Sequence, residues 1–246
     1  MSLSVTQTKT ALGVNLTASF QGAGGTAPYT FSVLSGGAGG SIDSASGIYI
    51  APSVVSSVPS QLFDTIQVTD NVGATITSQI MVGTPLLLFC DVIQQYLGLA
   101  PGRVNLWDQK LPEPTDSGMF VAISVLSCKP FGNTNRLDSS GNSVQSVNMY
   151  AQMQIDVISR GPEARDRKED VILALFSNYS QAQQEANSFF IGKLPPGSQF
   201  VNLSSPDGAG IPYRFNIAVS MQYFYTKTKA VSYFDTFATP QVNTNS

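Results

Sequence analysis

The fifteen residues QSVNMYAQMQIDVIS, 145–159, constrain the fold of this chain more tightly than any other stretch. Val147, Met149, Ala151, Met153, Ile155 and Val157 fall on one parity. Ser146, Asn148, Tyr150, Gln152, Gln154 and Asp156 fall on the other. Strict period two is the signature of a strand with one covered face and one open face. The same pattern returns in YRFNIAVSMQYFY. There Phe215, Ile217, Val219, Met221 and Tyr223 alternate with Arg214, Asn216, Ala218, Ser220 and Gln222. Two such strands require a sheet, and their apolar parity requires something to cover it.

The cover is legible nearby. PLLLFCDVIQQYLGLAPG places Leu86, Leu87, Phe89, Cys90, Ile93 and Leu97 near helical spacing and stops at Gly98 and Pro101. Pro162 opens a second helix at a first-turn position. In EARDRKEDVILALFSNYS, Val171, Ile172, Leu175, Phe176 and Tyr179 are its expected buried stripe. Glu163–Arg167 and Arg165–Glu169 are its i,i+4 ion pairs. QAQQEANSFFIGKL reads as a further short helix. MFVAISVLSCKPF is another strand, and GNTNRLDSSGNS, between it and the 145–159 strand, reads as a long hairpin loop. Residues 85–246 are therefore expected to form an α+β domain with a mainly antiparallel sheet and helices on one face.

The first 84 residues follow a different pattern. TALGVNLTASFQGA, YTFSVLS, GIYIAP, DTIQVTDN and TITSQIMVG are short runs rich in Val, Ile, Thr and Tyr, punctuated by Gly, Pro, Asn and Ser. That is the spacing of an all-β sandwich. QGAGGTAPYTF and SGGAGGS are glycine-dense turns; neither has the lysine and following helix of a phosphate-binding loop.

Composition excludes much chemistry. With no histidine there is no imidazole acid–base catalysis, no Ser-His-Asp triad and no His-ligated zinc. Cys90 and Cys128 both lie in apolar runs and are expected to be small buried hydrophobes rather than a disulfide. Asp166, Glu169 and Asp170 are interleaved with Arg165, Arg167 and Lys168, the pattern of a solvated helix face. Asp64 and Asp70 flank a strand as turn-formers or as calcium-type oxygen ligands, the former being the commoner arrangement. Trp107 is either a partner anchor or a local core plug. No catalytic, cofactor-binding or metal site is expected, and the chain is read as not an enzyme. A net charge of −3 gives no global attraction to nucleic acid. No apolar run reaches the ~18–20 residues of a membrane span. MSLSVTQTKTALGV lacks the pattern of a secretory signal, so folding in the cytoplasm is expected. The three Asn-x-Ser/Thr sites, at Asn15, Asn178 and Asn202, then carry no meaning.

Two resemblances sharpen these readings. SGIYIAP followed by VTDNVGAT resembles the bacterial Ig-like modules appended to phage structural and cell-surface proteins, which implies an Ig-like sandwich over 1–84. VIQQYLGLAPGRVNLWDQKLPEP, VNMYAQMQIDVISRGPEARDRKEDVILALF and YRFNIAVSMQYFY together resemble the neck or tail-terminator proteins of tailed phages. The family turn is matched by Leu97–Val104, with Arg103 in its arginine position. The chain departs from the pattern at Ala100 and Gly102 beside the proline, and at Arg160 before Gly161. The resemblance implies a homo-hexameric ring at the head–tail neck of the virion, assembled in the host bacterial cytoplasm. Such a ring terminates the tail tube and receives the head connector, with the tube protein, the connector protein and the tail sheath as partners. It implies no specific nucleic-acid sequence recognition, no membrane and no cofactor.

The strand faces point the same way. Only 12% of residues are charged, about half of the roughly 25% of ordinary soluble domains. Asn148, Gln152, Gln154, Asn216, Ser220 and Gln222 form polar, uncharged faces that a neighbouring subunit can bury without desolvating ions. With Arg103, and with Arg136 in the polar segment before Ser143, they are the candidate interface residues. The final segment, YTKTKAVSYFDTFATPQVNTNS, is either an arm reaching a neighbour or a last strand with a frayed end. Another virion component (connector, tube or decoration protein) shares the low charge and the Ig-like addition. An Ig-like adhesin or carbohydrate-binding protein would instead need exposed aromatics among Phe20, Tyr29, Phe31, Tyr49 and Phe63.

Overall fold

The computed structural model describes residues 2–34, 37–55, 62–107, 114–138, 141–204 and 212–229. The chain is mostly β, 48% strand, with three helices among the described residues.

Among the described residues, eight strands precede the first helix. β1 (Ser4–Gln7), β3 (Thr17–Ala23), β5 (Ser41–Ile42) and β6 (Ile48–Ile50) form one sheet in the order β1-β3-β6-β5. β2 (Ala11–Gly13), β4 (Thr30–Val33), β7 (Phe63–Thr69) and β8 (Thr75–Gly83) form another in the order β2-β8-β7-β4, with β2 parallel to β8. Alternating residues of both sheets, among them Leu12, Phe20, Phe31, Tyr49, Ile66 and Ile80, meet in one core. Three of the five aromatics open to a carbohydrate-binding role, Phe20, Phe31 and Tyr49, are therefore interior.

That core holds a carboxylate. Asp64 is fully buried within β7, where it accepts hydrogen bonds from the Tyr49 hydroxyl (2.5 Å) and the amides of Gly40 (2.8 Å) and Gly39 (3.2 Å). It is neither a turn residue nor an open oxygen ligand, which corrects both sequence expectations. Burial, then the bond to Asp64, pushes the Tyr49 hydroxyl far above its ordinary value. The glycines of SGGAGGS let the backbone close on this pair: a Cβ at Gly40 would run into the Tyr49 ring and hydroxyl. Asp70 does shape a turn, accepting from the amides of Thr26, Val72 and Ala74.

α1 (Pro85–Leu97) starts where strand grammar stops. Thr84 caps it through the Leu87 amide, Pro85 occupies its first turn, and Gly98 ends it at φ 64°. There follow β9 (Val104–Leu106), β10 (Phe120–Leu137), β11 (Ser143–Ser159), α2 (Glu163–Leu175), α3 (Asn178–Asn187), β12 (Phe189–Ile191), β13 (Val201–Asn202) and β14 (Tyr213–Lys229). These strands make one sheet in the order β12-β14-β11-β10-β9, with β13 also on β14; only the β9–β10 pairing is parallel. Val121, Ile123, Ala151, Met153, Ile155, Val157, Phe215, Ile217, Val219 and Met221 pack with the apolar residues of α1 and α2 in a second core. The helices thus cover one face of a mainly antiparallel sheet, and the alternation in β11 and β14 is the reason.

Several expectations are corrected by how far the strands run. β10 continues through Leu137 and β11 begins at Ser143, so GNTNRLDSSGNS is mostly ladder, and the Asp138 amide donates to the Asn142 carbonyl where the strands meet. Cys128 is exposed on β10 instead of buried, because the helical layer ends before it; no disulfide joins it to the buried Cys90. Phe176 is likewise exposed at the end of α2. Pro162 sits one place before α2 as its cap. Glu163–Arg167 forms as expected at 2.7 Å. Arg165 pairs with Asp166 instead of Glu169, its guanidinium lying over the Tyr213 ring, and Glu169 pairs with Lys168. Trp107 is 54% exposed, which removes the core-plug reading.

The two cores touch. Ala11, Leu62 and Met81 join the second core beside α1. The buried Asn187 side chain at the end of α3 accepts from the Gly13 amide at 2.8 Å, and Lys9 Nζ donates to the Ala186 carbonyl. No helix among the described residues is long and apolar enough to cross a membrane.

Candidate interaction surface

The register of three strands assembles the predicted polar face. β11 lies between β10 and β14, and its even-numbered residues point away from the helices. Gln152 sits opposite Ser220 and Ser127, Gln154 opposite Ala218 and Ser124, Asp156 opposite Asn216, Tyr150 opposite Gln222, and Asn148 opposite Phe224. Residues opposed in an antiparallel pair share a face, so Asn148, Gln152, Gln154, Asn216, Ser220 and Gln222 all lie on the helix-free side.

That side is not uncharged throughout. Asp156 was expected to be an outward polar residue; its side chain is only 3% exposed and is held by Arg214 through two hydrogen bonds. Asn216 Nδ2 donates to the same carboxylate at 3.0 Å, and Gln154 Nε2 at 3.2 Å. The ion pair therefore satisfies itself within the sheet. Beyond it, Phe120, Ala122 and Ile158 make a small apolar cluster at the same end. Toward the other end Ser127 Oγ donates to Gln152 Oε1 at 3.2 Å, and Lys129 lies opposite Tyr150. Gly192 passes so close to Ser220 that a Cβ there would strike its hydroxyl.

The remaining two candidates lie elsewhere. Arg103 precedes β9, and its guanidinium is held bidentately by Asp116, an arrangement that anchors the turn before β9. Arg136 is exposed near the tip of the β10–β11 hairpin, in register with Val144. The final segment, as far as it lies beyond Lys229, is outside the described residues.

Sequence reasoning missed the length of the three central strands. Residues 126–137, 143–149 and 224–229 extend the sheet beyond the helical layer. Of those described, Val144 alone is buried. Strands of 17 or 18 residues span about 55–60 Å at ~3.3 Å per residue, and roughly half of that has no cover. Two bulges, at Val125/Ser127 and Pro130/Gly132, interrupt the β10 edge of this extension. Bulges and proline are how exposed sheet edges are kept from pairing indiscriminately.

Among the described residues, no group of three or more Cys, Asp or Glu is placed to hold a metal ion. No protein-family model matches the chain, and no curated protein matches it.

Proposed function

We propose that the chain is a structural subunit of a tailed-phage virion, forming a homo-hexameric ring at the head–tail neck that ends the tail tube and receives the head connector. In this reading residues 85–246 are the ring-forming domain and residues 1–84 an Ig-like accessory. The task is geometric, with no substrate and no turnover.

The observation that carries the reading is the helix-free sheet face. Gln152, Ser220, Gln222 and Asn148 offer polar, uncharged side chains whose burial against a neighbour costs hydrogen bonds that the neighbour can replace, while Lys129, opposite Tyr150, adds a cation that a partner must meet. The one ion pair on the face, Asp156–Arg214, is already satisfied within the sheet and asks nothing of a partner. Element order supports the same reading: a capped helix ending at Gly98, a long strand into α2, and a final long strand rich in aromatics are what the terminator resemblance implies.

The test is assembly in solution. Negative-stain images of the purified chain are expected to show closed six-fold rings, and Gln152→Lys to yield folded monomers. Rings of normal symmetry from that variant would remove this face from the interface.

A further inference from the structure

We infer that the uncovered extension of the central sheet is an arm that lies across a second copy of this chain. The inference rests on the ring reading for the existence of neighbouring copies, and goes beyond it in naming the element that reaches them.

Charge distribution carries the argument. The arm, residues 126–149 and 224–229, holds Lys129, Arg136, Lys227 and Lys229 against the single carboxylate of Asp138. It thus takes four of the chain's 13 cationic residues and one of its 16 acidic ones, leaving nine against fifteen for the rest. Four of those fifteen, Asp64, Asp70, Asp91 and Asp156, are buried, so at most eleven can meet a partner. A basic arm on an acidic body is complementary to another copy of that body and repelled by another arm. Such a head-to-tail contact generates a ring when its rotation closes.

The arm's two faces are built alike. Lys129 and Arg136 pair in register with Tyr150 and Val144, on the helix-free parity, where Phe224 lies opposite Asn148. Lys227 and Lys229 pair with Gln145 and Ser143 on the other parity, where Tyr225 lies opposite Val147. Each face therefore presents two cations and an exposed aromatic, Phe224 at 54% and Tyr225 at 63%. A ribbon that lay on a groove of nucleic acid would need cations on one face only. Cations and aromatics on both faces suit a ribbon held between protein surfaces, with the rings filling pockets and the ammonium groups meeting carboxylates.

The experiment compares the full chain with K129E/R136E and K227E/K229E, one reversal per face, in mass photometry at low and high salt. Circular dichroism and the thermal midpoint report folding; these side chains are exposed, so both variants are expected to melt with wild type. Zero-length carbodiimide crosslinking of mixed heavy- and light-isotope protein then maps contacts between copies. We expect salt-sensitive wild-type oligomers, a tenfold or greater loss of association in each reversal variant, and inter-copy links from Lys227 or Lys229 to carboxylates outside the arm. Rings that persist unchanged in both variants would overturn the arm while leaving the ring reading intact. A wild-type chain that stays monomeric would overturn both. Monomers that shift a short random DNA duplex, with the shift lost on reversal, would assign the arm to nucleic acid instead.

Discussion

Arg214 on β14 grips Asp156 on β11 with two hydrogen bonds, Nε to Oδ1 at 2.9 Å and Nη2 to Oδ2 at 3.1 Å, at one end of the helix-free face. The carboxylate is almost wholly buried while the guanidinium is 43% exposed. Removing the arginine leaves a buried acceptor short of donors. Arg214→Ala is expected to destabilise by about 1–3 kcal/mol, read from the denaturant midpoint. Arg214→Lys should recover only part, because an ammonium cannot reproduce the two-point grip.

One buried side chain makes a polar link between the two cores. Asn187 accepts from the Gly13 amide and donates to the Gln183 carbonyl. Asn187→Ala leaves the Gly13 amide buried without its partner, a cost of about 1–3 kcal/mol. Hydrogen exchange at Gly13 should accelerate more than exchange in the β11 core. Equal acceleration at both would show that the change is global.

Gly40 is expected to tolerate no side chain. Its Cβ position is occupied by the Tyr49 ring and hydroxyl, which the bond to Asp64 holds in place. Gly40→Ala should lower stability by about 1–3 kcal/mol, the range for overpacking a core. Tyr49→Phe removes the hydroxyl but keeps the ring carbons that also meet the Cβ, so it relieves the Gly40→Ala clash only in part while exposing the loss of a donor to Asp64. The double variant is therefore expected to be less than additive.

Asp91 in α1 is buried, and that burial raises its carboxyl above the ordinary range, outweighing the hydrogen bonds from the Tyr179 hydroxyl (2.7 Å) and Gln95. A raised native value means the group's favourable contribution is complete below its unfolded value and lost as pH rises through the folded one. Asp91→Asn removes that loss and can keep both partners if the Gln95 amide turns over. Its thermal midpoint should exceed that of wild type at pH 7, with the gap closing below about pH 4, the ordinary carboxylate value. A constant gap across that range would contradict the assignment.

Much of this fold was legible from periodicity. Strict alternation in β11 and β14, the caps of α1 and the burial of Val171 and Leu175 in α2 each follow from local rules that packing did not override. The expected single helix, in contrast, breaks after Leu175, leaving Phe176 exposed and Tyr179 in α3. The failures share a cause: sequence patterns mark which residues prefer to be covered, not how far the cover extends. Cys128 lies in an apolar run and is exposed because no helix reaches it. Asn133 and Thr134 look like loop residues and are strand because β11 supplies their ladder. Asp64 was indistinguishable from a turn aspartate until Tyr49 and two glycines were brought to it from distant positions. The six polar candidates on β11 and β14 share one face, as parity alone groups them. The Asp156–Arg214 pair was not, since it depends on the register between strands 58 residues apart.

The central claim, that this chain sets where a phage tail stops, is tested most directly by electron microscopy of particles made with the gene silenced. Overlong, ragged tails unattached to heads are the predicted result. Tails of normal length joined to filled heads would contradict it, and would leave the chain a decorating or host-binding part of the virion.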